Sequence, residues 1–199
     1  MATSDPYRLS FTVGGLLSQE AAVAAPLFLE SGDWELARTE LMERNLLGTR
    51  LRTTALRVSR EVVQRLSELS RDELRCLAQA PGTDRNHIMW VAVCRRYQLV
   101  GQFAQSVLRD KYLLGDLSLA YEDFDRFCIS QALWHAQLEQ LKDSTRDKLR
   151  RNLFLALRQA GFLTETGSIV EPLLSPQIAA LLDQRAPSDI RYFPAGGAL

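Results

Sequence analysis

Six basic side chains lie within residues 142–158 of this chain, and two acidic residues accompany them. Several of the six share one face of a predicted helix, opposite an apolar stripe of Leu149, Leu153 and Leu157. Clustered cations bind polyanions, and the planar arginine fork suits phosphate groups and guanine edges. The segment therefore predicts nucleic-acid binding. The expected contacts are Arg146, Lys148, Arg150, Arg151 and Arg158.

A second basic cluster occupies residues 44–66, where six arginines stand against one glutamate. Helical spacing predicts an exposed face that carries Arg57, Arg60, Glu61, Gln64 and Arg65. Two further arginines precede the predicted helix, whose free N–H groups and positive dipole end favour a phosphate. The expected contacts are Arg50, Arg52, Arg57, Arg60 and Arg65.

The formal net charge of the whole chain is zero, although both clusters are strongly cationic. Charge that is concentrated in patches, rather than the total, determines whether a protein attracts a polyanion. A charged helix face is also a common solvated surface. The two clusters together favour nucleic-acid binding over that simpler interpretation.

Metal and catalytic chemistry find little support in the sequence. His87 and Cys94 are seven residues apart, as are Cys128 and His135, a helical separation of about 10 Å that is too long for two ligands of one zinc ion. We interpret these four residues as core residues.

The acidic stretch YEDFD (121–125) offers three carboxylates, Glu122, Asp123 and Asp125. Acidic residues at the start of a helix are typical, since they interact favourably with its dipole. The pair Gly14-Gly15 matches neither a Walker loop nor a dinucleotide-binding motif. No serine, cysteine or lysine lies in a nucleophile motif. We therefore predict no catalytic residue, no metal site and no cofactor, and we expect a protein that is not an enzyme.

Apolar periodicity predicts a mostly α-helical protein, a multi-helix bundle. The predicted helices span residues 18–30, 33–47, 53–69, 71–80, 84–98, 100–113, 121–141 and 145–160. Trp34, Trp90 and Trp134 fall within apolar helical patterns and are predicted to be core residues.

The C-terminal part predicts a winged helix-turn-helix-like unit. A long helix, a short turn and the basic helix are followed by Phe162-Leu163-Thr164 and Ile169-Val170, two short strands around a glycine turn. In such a unit the basic helix enters the DNA major groove and the β-hairpin lies along the backbone. We accordingly divide the chain into an N-terminal helical domain with a basic helix (1–115) and a winged-helix-like C-terminal domain (116–199). Its tail is expected to be extended and anchored by Tyr192 and Phe193.

The cellular compartment is predicted from what the sequence lacks. The start, MATSDPYRLSFTV, has neither the basic region nor the apolar region of a signal peptide. The most apolar run, residues 21–29, is far shorter than the ~20 residues that cross a bilayer. Three widely spaced cysteines argue against a disulfide framework. We expect a cytoplasmic protein without a membrane partner.

The sequence also resembles a known family along nearly its whole length and in the same order. The matching stretches are SFTVGGLLSQEA (10–21), GDWELAR (32–38), RVSREVVQRLSEL (57–69), MWVAVCRRY (89–97), LAYEDFDRF (119–127), TRDKLRRNLFLALRQAGFL (145–163) and YFP (192–194). They are similar to BrxA, a small component of the BREX (bacteriophage exclusion) defence systems of bacteria. The resemblance implies a non-catalytic DNA-binding protein that works with other BREX subunits, in which the methyltransferase and ATPase chemistry resides.

The leading hypothesis is a non-catalytic component of a BREX phage-defence system that binds double-stranded DNA. A first alternative is an adaptor whose basic faces dock acidic surfaces of other BREX subunits. A second is binding of structured RNA, which helical proteins with arginine faces recognise by shape. A nuclease that uses Glu122, Asp123 and Asp125 is the remaining alternative.

Overall fold

The computed structural model describes residues 13–196, and within that range the chain is mostly helical. Eleven α-helices, α1 to α11, follow one another along it. In chain order they are Ser18–Ser31, Trp34–Glu43, Arg52–Leu66, Arg71–Gln79, Gly82–Arg96, Gln98–Phe103, Asp110–Leu113, Tyr121–Ala132, Ala136–Glu139, Asp143–Gln159 and Pro176–Leu182. The all-helical prediction is confirmed. None of the described helices is long and apolar enough to cross a membrane.

The predicted helix at 121–141 is wrong, because the chain forms two helices there. Helix α8 ends at Ala132 and α9 begins at Ala136, so that the chain changes direction at residues 133–135. Leu138 of α9 is buried, whereas Leu133 and Trp134 are exposed. The apolar pattern was interpreted as one long helix with Trp134 in the core. The turn instead brings Leu138 to the core and leaves its two neighbours outside.

The predicted helix at 100–113 is continuous but not uniform. A π-helical segment, Ala104–Arg109, separates α6 from α7. At the preceding corner between α5 and α6, a Cβ on Gly101 would lie 2.8 Å from the carbonyl oxygen of Cys94. Only glycine allows the two helices to approach so closely.

The core is built around α5, which is buried along most of its length. Trp90 is fully buried, and its indole N–H donates to the carbonyl oxygen of Tyr192 at 2.9 Å. The rings of Phe162 and Phe193 pack on one another beside it, with centroids 5.2 Å apart. One hydrophobic cluster therefore includes residues from both sides of the boundary predicted at residues 115 and 116. The division into two domains stays a prediction.

The predicted β-hairpin is not confirmed, since residues 13–196 contain no β-strand. Two isolated antiparallel bridges are present instead, one between Leu163 and Ile169 and one between Ser118 and Ser168. The amides of Thr164 and Val170 donate across the turn to the carbonyl oxygens of Ser168 and Phe162, both at 2.9 Å. The amide of Ile169 donates to the carbonyl oxygen of Leu117 at 2.8 Å, so that the short turn also pairs with the loop before α8. We call residues 162–170 the bridged turn.

The C-terminal part differs from the extended tail that was predicted. Helix α11 was not predicted, although Ser175 followed by Pro176 is a typical helix start. A 3-10 turn, Asp189–Tyr192, replaces extended chain near the end. The prediction that Tyr192 and Phe193 anchor this region is confirmed, because both side chains are buried.

Candidate nucleic-acid interface

Helix α10 presents the first basic surface. Leu149, Leu153 and Leu157 are buried in the core, as predicted. Lys148 and Arg151 are exposed on the other side and have neither an ion pair nor a hydrogen bond within residues 13–196. The helix of 17 residues ends before Gly161, whose φ of 79° is the left-handed conformation predicted for that position. We call Arg146, Lys148, Arg151 and Arg158 the α10 surface.

Arg150 lies on the same helix, but neighbouring side chains hold its guanidinium. Its guanidinium pairs with Asp125 of α8 and, at 2.9 Å, with Asp147 of its own helix. It also lies over the ring of Tyr121, 4.7 Å from the ring centroid. A cation with three such contacts fixes α8 against α10, and it is less available to a phosphate than Lys148 or Arg151.

Arg158 and Arg146 are the remaining predicted contacts of this helix, and both are partly buried. Arg158 lies 3.5 Å from Glu165 of the bridged turn, whose carboxylate is almost fully exposed and so holds it weakly. Arg146 is partly buried beside α8, near Cys128. Both residues belong to the α10 surface.

Helix α3 presents the second basic surface. Arg57 and Arg60 are exposed and line an open groove of about 630 Å³ together with Arg38 of α2. Arg38 was not among the predicted residues, because its sequence neighbours are not basic. Its approach to α3 is a result of the fold alone. We call Arg50, Arg52, Arg57 and Arg60 the α3 surface.

Arg50 and Arg52 lie at the start of α3, where the prediction placed them. Arg52 is the first helical residue, and Leu51 before it provides no side-chain cap to the first turn. The start of α3 therefore combines N–H groups that no side chain caps with two exposed arginines.

The prediction that Arg65 lies on the exposed face is wrong. Its side chain is 1% exposed and makes a 2.9 Å ion pair with Glu61, which is also buried. The guanidinium donates to the carbonyl oxygens of Gly15 at 2.6 Å and Val13 at 3.1 Å. Arg65 stands at the edge of the apolar stripe, and residues 13–16, distant in sequence, pack across that edge. The sequence pattern contains no signal for this long-range cover.

The same buried pair affects Tyr97. Burial and the adjacent Glu61 carboxylate raise the pKa of the Tyr97 hydroxyl, which donates a hydrogen bond to that carboxylate. Arg65, Glu61 and Tyr97 thus form a satisfied polar group inside the core. Such a group contributes to the structure of α3 rather than to binding.

The described cations that lack a protein partner all lie in the two basic segments, residues 44–66 and 142–158. Within residues 13–196, the lysines and arginines with no ion pair and no hydrogen bond are Arg50, Arg52, Arg57, Arg60, Lys142, Arg146, Lys148 and Arg151. Other basic residues pair with acidic groups or with backbone carbonyls. Within residues 13–196, the unpaired positive charge is therefore confined to the two segments that the sequence singled out.

Two of the three carboxylates of YEDFD, Asp123 and Asp125, have structural partners. Asp123 accepts from the amide of Ala120 at 2.7 Å, at the start of α8, and pairs with Arg126 at 2.6 Å. Asp125 pairs with Arg150. No cluster of three or more potential metal ligands occurs within the part of the chain that the structure describes.

The histidine and cysteine residues of the core are shielded from solvent. His87 is buried, and its ring stacks on Phe162 with centroids 5.7 Å apart. Burial lowers the pKa of His87 and raises the pKa of the Cys128 thiol to about 12. A protonated thiol of this kind is a poor nucleophile.

The three tryptophans have different environments. Trp90 is in the core as predicted, and Trp34 is half-buried and stacks on Phe28 at 3.9 Å. The prediction for Trp134 is wrong, because this side chain is 81% exposed. Leu133 and Ile129 are exposed beside it, on the end of α8.

Three comparisons relate the chain to known proteins. The profile of the BrxA family matches residues 5–186. The BREX protein BrxA of Escherichia coli O9:H4 (strain HS) is 25% identical over 193 residues, which cover 96% of this chain and 91% of that protein. The crystal structure of an uncharacterized protein from Magnetospirillum magneticum is similar with a TM-score of 0.84 and 19% identity, and it covers 96% of this chain and all of that one. The likeness to the Magnetospirillum magneticum protein concerns the fold alone.

Proposed function

The chain belongs to the BrxA family, and we propose that it is a non-catalytic component of a BREX phage-defence system that binds double-stranded DNA. The name of the Escherichia coli relative supports the BREX assignment. Cytoplasmic location and contact with other BREX subunits belong to the same proposal.

The observation that carries the proposal is the distribution of unpaired cations. A net charge of zero gives no general attraction to nucleic acid. Residues 50–60 and 142–151 nevertheless hold eight basic groups that no described residue neutralises. Six of the eight are arginines, which suits a surface that binds phosphates.

A duplex is favoured over a single strand by the elements around α10. A helix of 17 residues is about 25 Å long and could lie in a major groove. The α8–α9 turn precedes it and the bridged turn follows it, which is the order of a winged helix-turn-helix unit with a reduced wing. Exposed stacking aromatics, on which single-strand binding proteins depend, do not lie among the residues of the two surfaces.

A second function, as a protein adaptor, is favoured by a separate feature. Ile129, Leu133 and Trp134 form an exposed apolar group at the end of α8. Exposed tryptophan and leucine side chains of this kind are typical of protein interfaces.

Replacing Leu133 and Trp134 with alanine is expected to abolish co-purification with other BREX subunits while DNA binding persists. Loss of DNA binding instead would assign this group to the DNA surface.

Fluorescence anisotropy with labelled duplex DNA, single-stranded DNA and duplex RNA, across a salt series, tests the main proposal. If both surfaces contact one duplex, about six phosphates are neutralised and log K against log salt should have a slope of about −5. Duplex DNA should bind most tightly. A flat salt dependence would contradict DNA binding, and a clear preference for duplex RNA would favour the RNA alternative.

A further inference from the structure

A short segment, residues 13–16, lies between the two basic helices. We call it the strap. On one side it is held by Arg65 of α3, whose guanidinium donates to the carbonyl oxygens of Gly15 and Val13. Arg65 is itself fixed by Glu61, so that this attachment is buried and rigid.

On its other side the strap is attached to α10. The amide of Leu16 donates to Oε1 of Gln159 at 2.7 Å. A Cβ on Gly14 would lie 3.2 Å from Oδ1 of Asn152, which places this glycine against the same helix. Gly15 has a φ of 73°, and a Cβ there would be 2.6 Å from Gln159 Oε1. The left-handed φ favours glycine at position 15, and both glycines let the strap lie closely against α10.

The attachment points lie close to both cationic surfaces. Arg60 and Gln64 line the α3 groove together with Val13 of the strap. Asn152 is adjacent to Arg151 on α10. The strap therefore connects α3 with α10 through hydrogen bonds between side chains of these helices and its own backbone.

We propose that the strap couples the α3 surface to the α10 surface, with Arg65 and Gln159 as positioning residues, so that both surfaces engage one duplex at the same time. This inference rests on the proposed DNA binding. Neither residue is expected to touch DNA. Two phosphate-binding surfaces held in a fixed relation bind a rigid duplex more tightly than either alone, because the second contact becomes intramolecular.

If the strap couples the two surfaces, loosening the strap should impair DNA binding in a different way from removing a cation. When the relation between the surfaces is loosened, all the arginines remain, but fewer reach phosphates simultaneously. Both the affinity and the magnitude of the salt slope should then fall. A purely structural residue would change thermal stability without changing the salt slope of the protein that remains folded.

The variant Gln159→Ala tests the attachment to α10 with little risk to the fold. Its side chain is exposed, and alanine is a good helix former. The matched control is Gln79→Ala, which changes an exposed glutamine at the end of α4. Gly15→Ala is a second variant that displaces the strap by steric conflict rather than by loss of an acceptor.

Two readouts are needed. Hydrogen exchange measured by NMR should show the amide of Leu16 exchanging at least tenfold faster in Gln159→Ala, because its acceptor is gone. Duplex affinity should fall about tenfold, and the salt slope should change from about −5 to about −3, the value for one surface that contacts about three phosphates. Gly15→Ala should behave in the same way, and Gln79→Ala should match the wild type.

The outcomes separate this inference from the proposed function. If Leu16 exchanges faster but affinity and salt slope equal those of the wild type, the coupling is wrong and DNA binding stands. If Leu16 exchange does not change, Gln159 does not hold the strap and the inference is wrong on structural grounds. If the wild-type protein binds no duplex at low salt, the proposed function fails and the coupling fails with it.

Discussion

Helices α3 and α10 both carry a basic face, but they use their charges differently. On α3, Arg57 and Arg60 are exposed while Arg65, on the same helix, is buried and bonded to the strap. On α10, no arginine is fully buried, and Arg150 is instead held at the surface by Asp125 and Asp147. The difference shows that one charged stripe can contain cations that stabilise the fold and cations that are free for a ligand. Substitutions should separate the two kinds.

The largest effect is expected at the buried cation of α3. Arg65→Ala would leave Glu61 buried without its partner, which typically costs about 3–5 kcal/mol of the free energy of unfolding. Urea unfolding measures this cost. The matched variant Arg60→Ala, on the same helix, should change stability by no more than about 0.5 kcal/mol. Equal stability of the two variants would contradict the distinction between buried and surface arginines.

A similar contrast exists on α10 between core and surface leucines. Leu153→Ala should lower the free energy of unfolding by about 2–5 kcal/mol, because it leaves a cavity in the core. Leu155→Ala, two residues away and 40% exposed, should cost much less. Under conditions in which both variants are folded, their duplex affinities should be close to that of the wild type. A large loss of affinity in folded Leu153→Ala would mean that the apolar stripe also shapes the DNA contact.

The free cations of α10 should affect binding rather than stability. In Arg151→Glu combined with Arg158→Glu, repulsion of phosphates replaces attraction, and duplex affinity should fall more than tenfold, over about 1.4 kcal/mol. Stability should change by about 0.5 kcal/mol or less per site, since neither side chain is in the core. Anisotropy titration and urea unfolding measure the two quantities. A folded double variant with normal affinity would make this helix face a solvated surface and leave the α3 surface as the candidate.

The smallest effect concerns pH and involves neither basic face directly. His87 lies near the C-terminal end of α10 and packs against the rings of Phe162 and Phe193. Burial lowers its pKa, whereas the charge of Asp84 and a bond to the backbone of Ala160 act in the opposite direction. An unfolded histidine has a pKa near 6.5. The unfolded chain therefore binds this proton more readily, and stability should fall as the pH decreases below about 6.5 towards the folded pKa.

The comparison of His87→Phe with the wild type isolates this contribution from that of the carboxylates. Urea midpoints at pH 7.5 and pH 5.5 should differ less in His87→Phe than in the wild type. A His87→Phe variant that retains the full pH dependence would show that the proton is taken up elsewhere.

Much of this fold follows from local sequence, and the errors have a common physical cause. Helix positions were predicted well, since apolar periodicity and glycine breaks are local signals. Arg65, Trp134 and the bridged turn were predicted wrongly because their environments depend on segments far away in sequence. Residues 13–16 cover Arg65, no described element covers Trp134, and the bridged turn pairs with Leu117 as well as with itself.

The candidate site shows the same limit. The sequence identified both basic segments, because charge at helical spacing is also a local pattern. It did not indicate that Arg38 joins the α3 groove or that Asp125 holds Arg150. Which of the predicted residues contact DNA stays a prediction, and the unpaired cations are the first ones to test.

The salt dependence of duplex binding in two matched variants tests the central claim most directly. Arg57→Ala with Arg60→Ala removes two free cations from the α3 surface, and Lys148→Ala with Arg151→Ala removes two from the α10 surface. If both surfaces bind one duplex, each variant should reduce the magnitude of the wild-type slope of about −5 by about 2, since each lost phosphate contact accounts for about 0.9. Slopes equal to that of the wild type in both variants would contradict the claim that these surfaces bind DNA.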